Sequence, residues 1–281
     1  MPRTVVTGPP VKRRKEFVEN KELPFLDFPN EIIFRCYGYF DLESRMKMRS
    51  LRNERLNKIE METEYRYDSL EISYNNINHP RTIKDIRLVC DDSVVDVPHS
   101  VALKELQLLA KNTHFNLVTY KTCIPEDSST CQSLSSLEAK TIVIEVLGID
   151  DATLGMVMQN KERVIVRRSN VTTDGLWDVY SKMKEGSVGV KYVKVETHDV
   201  ESRFEFLARL GSNYDRIDGF TPRENQKMKF ENFKLVVTEG NLKVVASVLC
   251  WCGRYPGFVS FEIIDGEDKA EEDDEDILNA C

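Results

Sequence analysis

The stretch formed by residues 23–59 constrains the fold more than any other part of the chain. It opens with an extended apolar run, and Pro29 then stands at the first position of a helix, where the fixed φ of proline is tolerated. Glu31 follows in the first turn, near the positive end of the helix dipole. Bulky apolar residues then recur at helical spacing, at Ile32, Ile33, Cys36, Tyr37 and Phe40. The sequence therefore predicts an amphipathic helix that begins at Pro29.

A second helix is predicted directly after the first. Gly38 lets the chain leave the first helix, and Asp41 is suited to cap the next one. The second helix has a looser apolar face, made of Met48, Leu51, Leu56 and Ile59. Basic residues lie between these positions and are assigned to its solvent side, namely Arg45, Lys47, Arg49, Arg52, Arg55 and Lys58.

The first helix carries apolar side chains on more than one side. Ile32 and Ile33 are adjacent, so they point about 100° apart on a helix of 3.6 residues per turn. A unit of fewer than about 40 residues seldom buries enough apolar surface to fold alone. One side of the helix therefore packs within the chain, and the other needs either more of this chain or another protein.

The same stretch resembles an F-box, the short helical module that attaches substrate receptors to the Skp-family adaptor of cullin-based ubiquitin ligases. The family pattern opens with an apolar residue, Pro, any residue, Glu and two aliphatic residues, and this chain has Phe28-Pro29-Asn30-Glu31-Ile32-Ile33. Cys36, Tyr37, Tyr39 and Phe40 stand at the following apolar positions, ahead of a polar turn. The run from Ser44 to Leu56 is similar to the divergent F-boxes that are abundant in nematode proteins.

The resemblance implies a non-catalytic substrate-recognition subunit without cofactor or metal. Its partners would be a Skp-family adaptor, through it a cullin, and an unknown protein substrate bound by the rest of the chain. The residues expected to bind the adaptor are Phe28, Pro29, Glu31, Ile32, Ile33, Cys36, Tyr37 and Phe40.

Charge and composition exclude several other classes of function. The net charge of −8 is carried by residues 265–281, where nine acidic residues accompany one lysine; the remaining chain balances 38 acidic against 38 basic residues. Because the chain outside residues 265–281 has no excess of basic residues, it lacks the positive electrostatic field that nucleic-acid binding requires. The longest apolar run has about half the length that a membrane-spanning helix needs. Seven cysteines without a secretory signal sequence predict an intracellular protein with free thiols.

Composition divides the chain into four parts. Residues 1–22 are polar, contain the basic cluster Lys12-Arg13-Arg14-Lys15, and are predicted to be disordered. Residues 23–60 form the F-box-like unit, and residues 61–264 form the predicted substrate-binding region. Residues 265–281 are predicted to be a disordered acidic tail.

The middle of the chain repeats a strand followed by a short helix. Strands are predicted at 70–74, 83–90, 115–120, 141–146, 163–167 and 191–195, with a helix at 101–109 and a loop at 125–136. Asp150 or Asp151, Thr172 or Thr173, and Thr197 are suited to cap a helix after each of the last three strands. A period of 20–29 residues is that of leucine-rich repeats, although the leucine consensus is missing. The alternative is an ordinary α/β sheet with right-handed crossovers.

Three strands at 233–237, 242–252 and 258–264 are separated by turn signals and predict a closing antiparallel meander. The predicted fold class is therefore α+β: a small helical F-box, an irregular strand–helix region that is leucine-rich-repeat-like, and the meander.

The sequence has no glycine-rich phosphate loop and no Cys-x-x-Cys motif. His198 beside Asp199 is better explained by helix capping than by catalysis, and Cys250-Trp251-Cys252 by buried packing. Cys123 and Cys131 lack the tight ligand pair that is usual in structural zinc sites. Two alternatives to the receptor hypothesis stay open: a repeat-type interaction scaffold with no ligase role, and an enzyme with an unrecognised site.

Overall fold

The structure of the chain is a computed structural model. It describes residues 25–74, 85–121, 128–146, 148–197, 205–206, 208–210, 215–217, 231–250 and 257–264. The predicted disordered parts, residues 1–22 and 265–281, lie outside these ranges.

A three-helix unit opens the described chain. A 3-10 turn at Phe25–Asp27 leads into α1 (Asn30–Tyr37), α2 (Leu42–Ser50) and α3 (Glu54–Glu62). The predicted second helix is thus two helices. Arg52 has a φ of 51°, which ends α2, and the Asn53 side chain accepts a hydrogen bond from Leu56 N at 3.1 Å to start α3. Asp41 caps α2 as predicted, accepting from Ser44 N at 2.7 Å.

Within the described ranges, eleven strands then form one mixed sheet, in agreement with the predicted α+β class. The strands are β1 (Tyr65–Tyr74), β2 (Asp85–Cys90), β3 (Ser93–Pro98), β4 (Thr113–Lys121), β5 (Glu138–Glu145), β6 (Arg163–Ser169), β7 (Tyr192–Thr197), β8 (Asp215–Ile217), β9 (Glu231–Glu239), β10 (Leu242–Cys250) and β11 (Gly257–Ile263). Their order across the sheet is β3-β2-β1-β4-β5-β6-β7-β11-β10-β9-β8.

Five parallel strands, β1, β4, β5, β6 and β7, form the centre of the sheet in the order of the sequence. The hairpin β2–β3 extends one side, and the antiparallel strands β8–β11 extend the other, with β11 paired to β7. The meander was predicted, but β3, β8 and the β7–β11 pairing were not.

Helices connect the central strands and lie in a row. They are α4 (His99–Asn112), α5 (Ser128–Ser136), α6 (Asp151–Val157) and α7 (Thr173–Lys184), and each packs on the next. Residues 128–136 were predicted as part of a loop because they are rich in serine and threonine. The structure has the helix α5 there, so that prediction was wrong. Asp150 and Thr172 cap α6 and α7 as predicted, accepting from Thr153 N and Gly175 N. Thr197, a predicted cap, ends β7; its expected partners Val200, Phe204 and Leu207 lie outside the described residues.

One large core lies between the sheet and this row of helices. A buried ladder of residues crosses six strands in register, at Val118, Ile142, Val164, Val193, Phe261 and Val244. Helix residues from α4 to α7, such as Leu106, Leu154 and Leu176, belong to the same cluster. The helices therefore share one face of the sheet.

Candidate functional site

A small separate core holds the three helices together. Ile33 and Tyr37 of α1 pack against Leu56 and Ile59 of α3 and against Tyr65 at the start of β1. Phe25, Phe28, Phe40, Met48 and Tyr67 line its edge. Burial, aided by the Glu60 charge, raises the pKa of Tyr37 to about 12, as expected for a phenol inside this core. The helical unit is thus packed on itself and on the first strand.

The eight predicted adaptor-binding residues fall into three classes. Pro29, Glu31 and Ile32 are exposed, whereas Phe28, Cys36 and Phe40 are half-buried and Ile33 and Tyr37 are fully buried. A side chain with no exposed surface does not touch a partner unless the unit rearranges. In this structure Ile33 and Tyr37 are internal packing residues, and adaptor binding by the eight residues stays a prediction.

Adjacent residues of α1 face different surroundings, as their angular separation requires. Ile33 is 0% exposed, but Ile32 is 42% exposed. Cys36 and Tyr39 lie near Ile32 at helical spacing. Cys36 is half-buried, and Tyr39 is 90% exposed. We call Pro29, Ile32, Cys36 and Tyr39 the outer stripe of α1. It is an apolar surface that no described element covers.

A groove of about 400 Å³ runs along the opposite flank of α1, against α3. Phe34, 43% exposed, and Ile59 form its apolar base. Charged residues surround them: Glu31, Arg35, Arg55, Lys58 and Glu62. The helical unit thus offers a second concave apolar surface beside the outer stripe.

Arg55 closes the start of the unit and is exposed, on the solvent side where the sequence placed it. Its guanidinium donates to Leu26 O at 2.7 Å, to Phe28 O at 2.6 Å and to Asn30 Oδ1 at 2.6 Å. Because these acceptors lie on both sides of Pro29, Arg55 fixes the turn that presents the outer stripe. Arg55 remains partly open to solvent.

A buried ionic network joins the helical unit to the sheet. Arg45, 0% exposed, donates to Glu60 at 2.8 Å, to Asn112 Oδ1 at 3.1 Å and to Thr113 Oγ1 at 3.0 Å. Its guanidinium also stacks 3.4 Å from the centre of the Tyr65 ring. Five elements, α2, α3, α4, β1 and β4, therefore meet on one arginine.

Arg49 extends the network from α2 to α4. It binds both Glu60 and Glu105 at 2.5 Å and is 12% exposed. Burial alone raises the pKa of Glu60, but the hydrogen bonds and charges of Arg49 and Arg45 more than offset this effect, so the pKa lies below its usual value of 4.5. Glu60 is thus a charged carboxylate held between two arginines.

Sequence reasoning placed Arg45 and Arg49 on the solvent side, and the structure contradicts this. A signal was present: Leu42, Arg45 and Arg49 recur at the i, i+3, i+7 spacing of one helix face, and Leu42 is buried in the main core. The buried acceptor Asn112, which also donates to Glu60 O and Thr63 O, had no comparable signal.

Asp91, Asp150 and Asp151, which belong to the adjacent pairs Asp91-Asp92 and Asp150-Asp151, have structural roles. Asp150 caps α6, Asp151 accepts from Thr172 N at 2.8 Å, and Asp91 accepts from Ser69 N at 2.8 Å. His198, Asp199, Cys123, Trp251 and Cys252 lie outside the described residues. Within the described ranges, no three His, Cys, Asp or Glu side chains come together as a metal site. None of the described helices combines the length and apolarity needed to cross a bilayer.

Comparisons with protein-family models, with curated proteins and with solved structures find no match for this chain.

Proposed function

We propose that the chain is the substrate-recognition subunit of a Skp–cullin–F-box ubiquitin ligase. The α1–α3 unit would bind the Skp-family adaptor, and the strand–helix region would bind a protein substrate inside the cell. The adaptor and its cullin would do the chemistry through their own partners, so this chain catalyses nothing.

The outer stripe of α1 is the observation that carries the proposal. Pro29, Ile32 and Cys36 are positions of the F-box pattern and share one side of α1 by helical spacing, and the exposed Tyr39 follows in the turn after the helix. Exposed aromatic and aliphatic residues on a rigid element are typical anchors of protein interfaces. Arg55 holds the turn before α1, so the stripe is presented in a fixed orientation.

The buried network around Arg45 supports the same function. A ligase receptor needs its adaptor-binding unit and its substrate-binding region in a fixed relative orientation. The Arg45–Glu60–Asn112–Thr113 contacts connect the two without a flexible joint among the residues involved.

The central strands lie side by side in the order of the sequence, β1-β4-β5-β6-β7, and α4–α7 lie on one face of the sheet. This arrangement favours an irregular leucine-rich-repeat-like arc as the architecture of the substrate-binding region. The same order also favours the second candidate, a repeat-type interaction scaffold in which α1–α3 only cover the end of the arc. Adaptor binding separates the two candidates.

The test is a titration of the full chain with a purified Skp-family adaptor. Ile32→Ala truncates the centre of the outer stripe, and such a truncation typically costs about 2 kcal/mol of binding, or roughly thirtyfold in affinity. Val94→Ala is the matched control, because Val94 is an exposed aliphatic residue, 53% exposed, on the outermost strand β3. It should bind like the unmodified chain.

Circular dichroism on the same preparations confirms that both variants are folded. If the unmodified chain does not bind the adaptor at micromolar concentrations, the ligase proposal fails and the scaffold candidate stands. If Ile32→Ala and Val94→Ala bind equally well, the interface lies elsewhere, and Phe34→Ala in the α1–α3 groove is the next variant to measure.

A further inference from the structure

Four neighbouring strands, β1, β4, β5 and β6, bend at the same level near their starts. In a regular strand every second residue faces the core, but here successive inward residues lie three positions apart. These pairs are Tyr67 and Leu70, Phe115 and Val118, Ala139 and Ile142, and Lys161 and Val164. The register between β1 and β4 and between β4 and β5 is interrupted at the same level. Because an extra residue bends a strand, aligned bends produce a groove that runs across the sheet.

This groove has a volume of about 720 Å³ and lies on the face of the sheet opposite the helices. The backbone of the inward residues Tyr67, Phe115 and Ala139 forms its floor. Residues on either side of an inward residue both point outward, so two rows of exposed side chains form the walls. One wall is Arg66, His114 and Glu138, the other is Asp68, Asn116 and Lys140, and Asn160 and Glu162 close the end at β6. We call this site the strand groove.

The floor of the strand groove is held from below. The rings of Tyr67 and Phe115 stack with their centres 6.0 Å apart on the core side. The buried ammonium of Lys161 donates to Leu137 O at 2.6 Å, which ties the start of β6 to the start of β5. A site that is already rigid loses little conformational entropy when a ligand binds.

The side chains in the middle of the walls are paired across the strands. Asn116 Nδ2 donates to Asp68 Oδ1 at 2.9 Å, and His114 Nδ1 lies 2.5 Å from a Glu138 carboxylate oxygen. These pairs hold the walls in place and leave other groups to contact a ligand.

The groups without such partners lie mainly towards the two ends. Within the described part of the chain, the side chains of Arg66, Lys140, Asn160 and Glu162 make no hydrogen bond or ion pair. Arg66 stands at the β1 end and Glu162 at the β6 end, where Glu162 N donates to Lys140 O at 2.9 Å. Two cationic side chains and three carboxylates line the whole groove, so it does not favour a polyanion. One end instead offers a cation and the other an anion.

The length of the groove matches an extended peptide. Strands lie about 4.8 Å apart, so three strand spacings place the backbones of Arg66 and Glu162 roughly 14 Å apart. An extended chain advances about 3.4 Å per residue, so residues i and i+4 span this distance and point to the same side.

We propose that the strand groove binds an extended peptide segment of the substrate protein, with an acidic side chain at Arg66 and a basic side chain four residues away at Glu162. Lys140 and Asn160 donate to backbone carbonyls of the segment. The inference rests on the proposed substrate-binding role of this region, but its test does not use the adaptor.

The test is a fluorescence titration of the full chain with labelled peptides at low salt. The probe is Gly-Ser-Asp-Ala-Thr-Ala-Arg-Ser-Gly, which has Asp and Arg at positions i and i+4. Two comparison peptides carry Asp at both positions or Arg at both positions. An exposed ion pair contributes up to about fivefold in affinity, so the probe should bind about threefold or more tightly than either comparison peptide. Equal affinity for all three peptides, or no binding at millimolar concentrations, would overturn the proposal.

Charge reversals at the two ends should change the preference in opposite directions. Arg66→Glu should favour the peptide with two Arg residues, and Glu162→Lys should favour the peptide with two Asp residues, each by about threefold or more. Lys104→Glu on α4 and Glu185→Lys after α7 are matched reversals of exposed residues away from the groove, and both should keep the original preference. If the groove variants and these controls behave alike, the peptide binds elsewhere.

Methyl NMR on the same samples locates the bound probe. The signals of Leu117, which is 36% exposed beside Asn116, should shift on titration, whereas those of Leu51, 61% exposed on the helical unit, should not. A chain that binds the probe but not the adaptor keeps the strand groove and loses the ligase proposal. A chain that binds the adaptor but shows no shift at Leu117 keeps the ligase proposal and loses the groove.

Discussion

At the scale of single residues, Gly175 in the first turn of α7 lies at a close contact between consecutive strand–helix units. The Asp151 carboxylate of α6 accepts from Thr172 N at 2.8 Å and from the Thr172 hydroxyl at 2.6 Å. It thereby places a negative charge at the positive end of α7, beside the Thr172 cap. A Cβ at position 175 would overlap this carboxylate. Glycine is required there for space and not for its backbone freedom.

Gly175→Ala is therefore expected to destabilise the chain by about 1–3 kcal/mol, the usual cost of overpacking. Gly155→Ala is the matched control, since Gly155 lies inside α6 and a Cβ there meets nothing within 4 Å. That variant should be unchanged or more stable by up to about 1 kcal/mol, because alanine favours helix. Urea denaturation measures both. Equal stability of the two variants would show that Asp151 moves away without cost.

At the scale of elements, the two faces of the sheet differ. Val166 of β6 is 0% exposed and belongs to the main core, whereas Val143 of the neighbouring strand β5 is half-exposed on the face opposite the helices, the open face. The period of two in a strand produces this division. Each strand–helix unit is too small to bury its own face, so the units depend on their neighbours.

Val166→Asp should therefore unfold much of the central sheet, because it buries a charge with no partner; we expect a loss above about 3 kcal/mol. Val143→Asp, the same change on the open face, should cost about 1 kcal/mol or less. Hydrogen–deuterium exchange of residues 141–184 is the measurement. Unchanged protection in Val166→Asp would contradict the assignment of β6 to the core.

At the scale of the whole molecule, the network around Glu60 couples the helical unit to the sheet. The folded pKa of Glu60 lies below its unfolded value of 4.5. A depressed pKa contributes stability that is fully present above pH 4.5 and is lost as the pH falls through the folded pKa. Acid is therefore expected to loosen the junction between α2, α3 and α4.

Glu60→Gln should lower stability at pH 7 by about 3–5 kcal/mol, since it removes the carboxylate that the buried Arg45 shares with the half-buried Arg49. The difference from the unmodified chain should narrow below pH 4.5. Glu62→Gln is the control on the same helix: Glu62 is exposed, 4.0 Å from Lys58, and should matter little. Melting temperatures between pH 3 and 7 measure the effect. A difference that stays constant over this range would mean that Glu60 is not charged in the folded chain.

Local patterns were sufficient for many elements. The helix starting at Pro29, the caps Asp41, Asp150 and Thr172, and the strands with alternating valines all follow from spacings of a few residues, and the structure has them. The predicted inward residues of α7, Leu176, Val179, Tyr180 and Met183, are buried. The candidate site was found only in part, because the pattern missed the exposed Phe34 and could not tell which of the adjacent Ile32 and Ile33 faces outward.

The sequence by itself determined many of the helix starts, the helix caps and the apolar faces of the main strands, because these features depend on neighbours along the chain. The tertiary structure decided the rest. Arg45 and Glu60 became a buried pair only because Asn112, Thr113 and Tyr65 meet them from distant parts of the sequence. β11 joined β7, across about 60 residues of chain, because an antiparallel partner of matching apolar register was available there. Burial and strand order depend on which surfaces meet in space, and no local period specifies that.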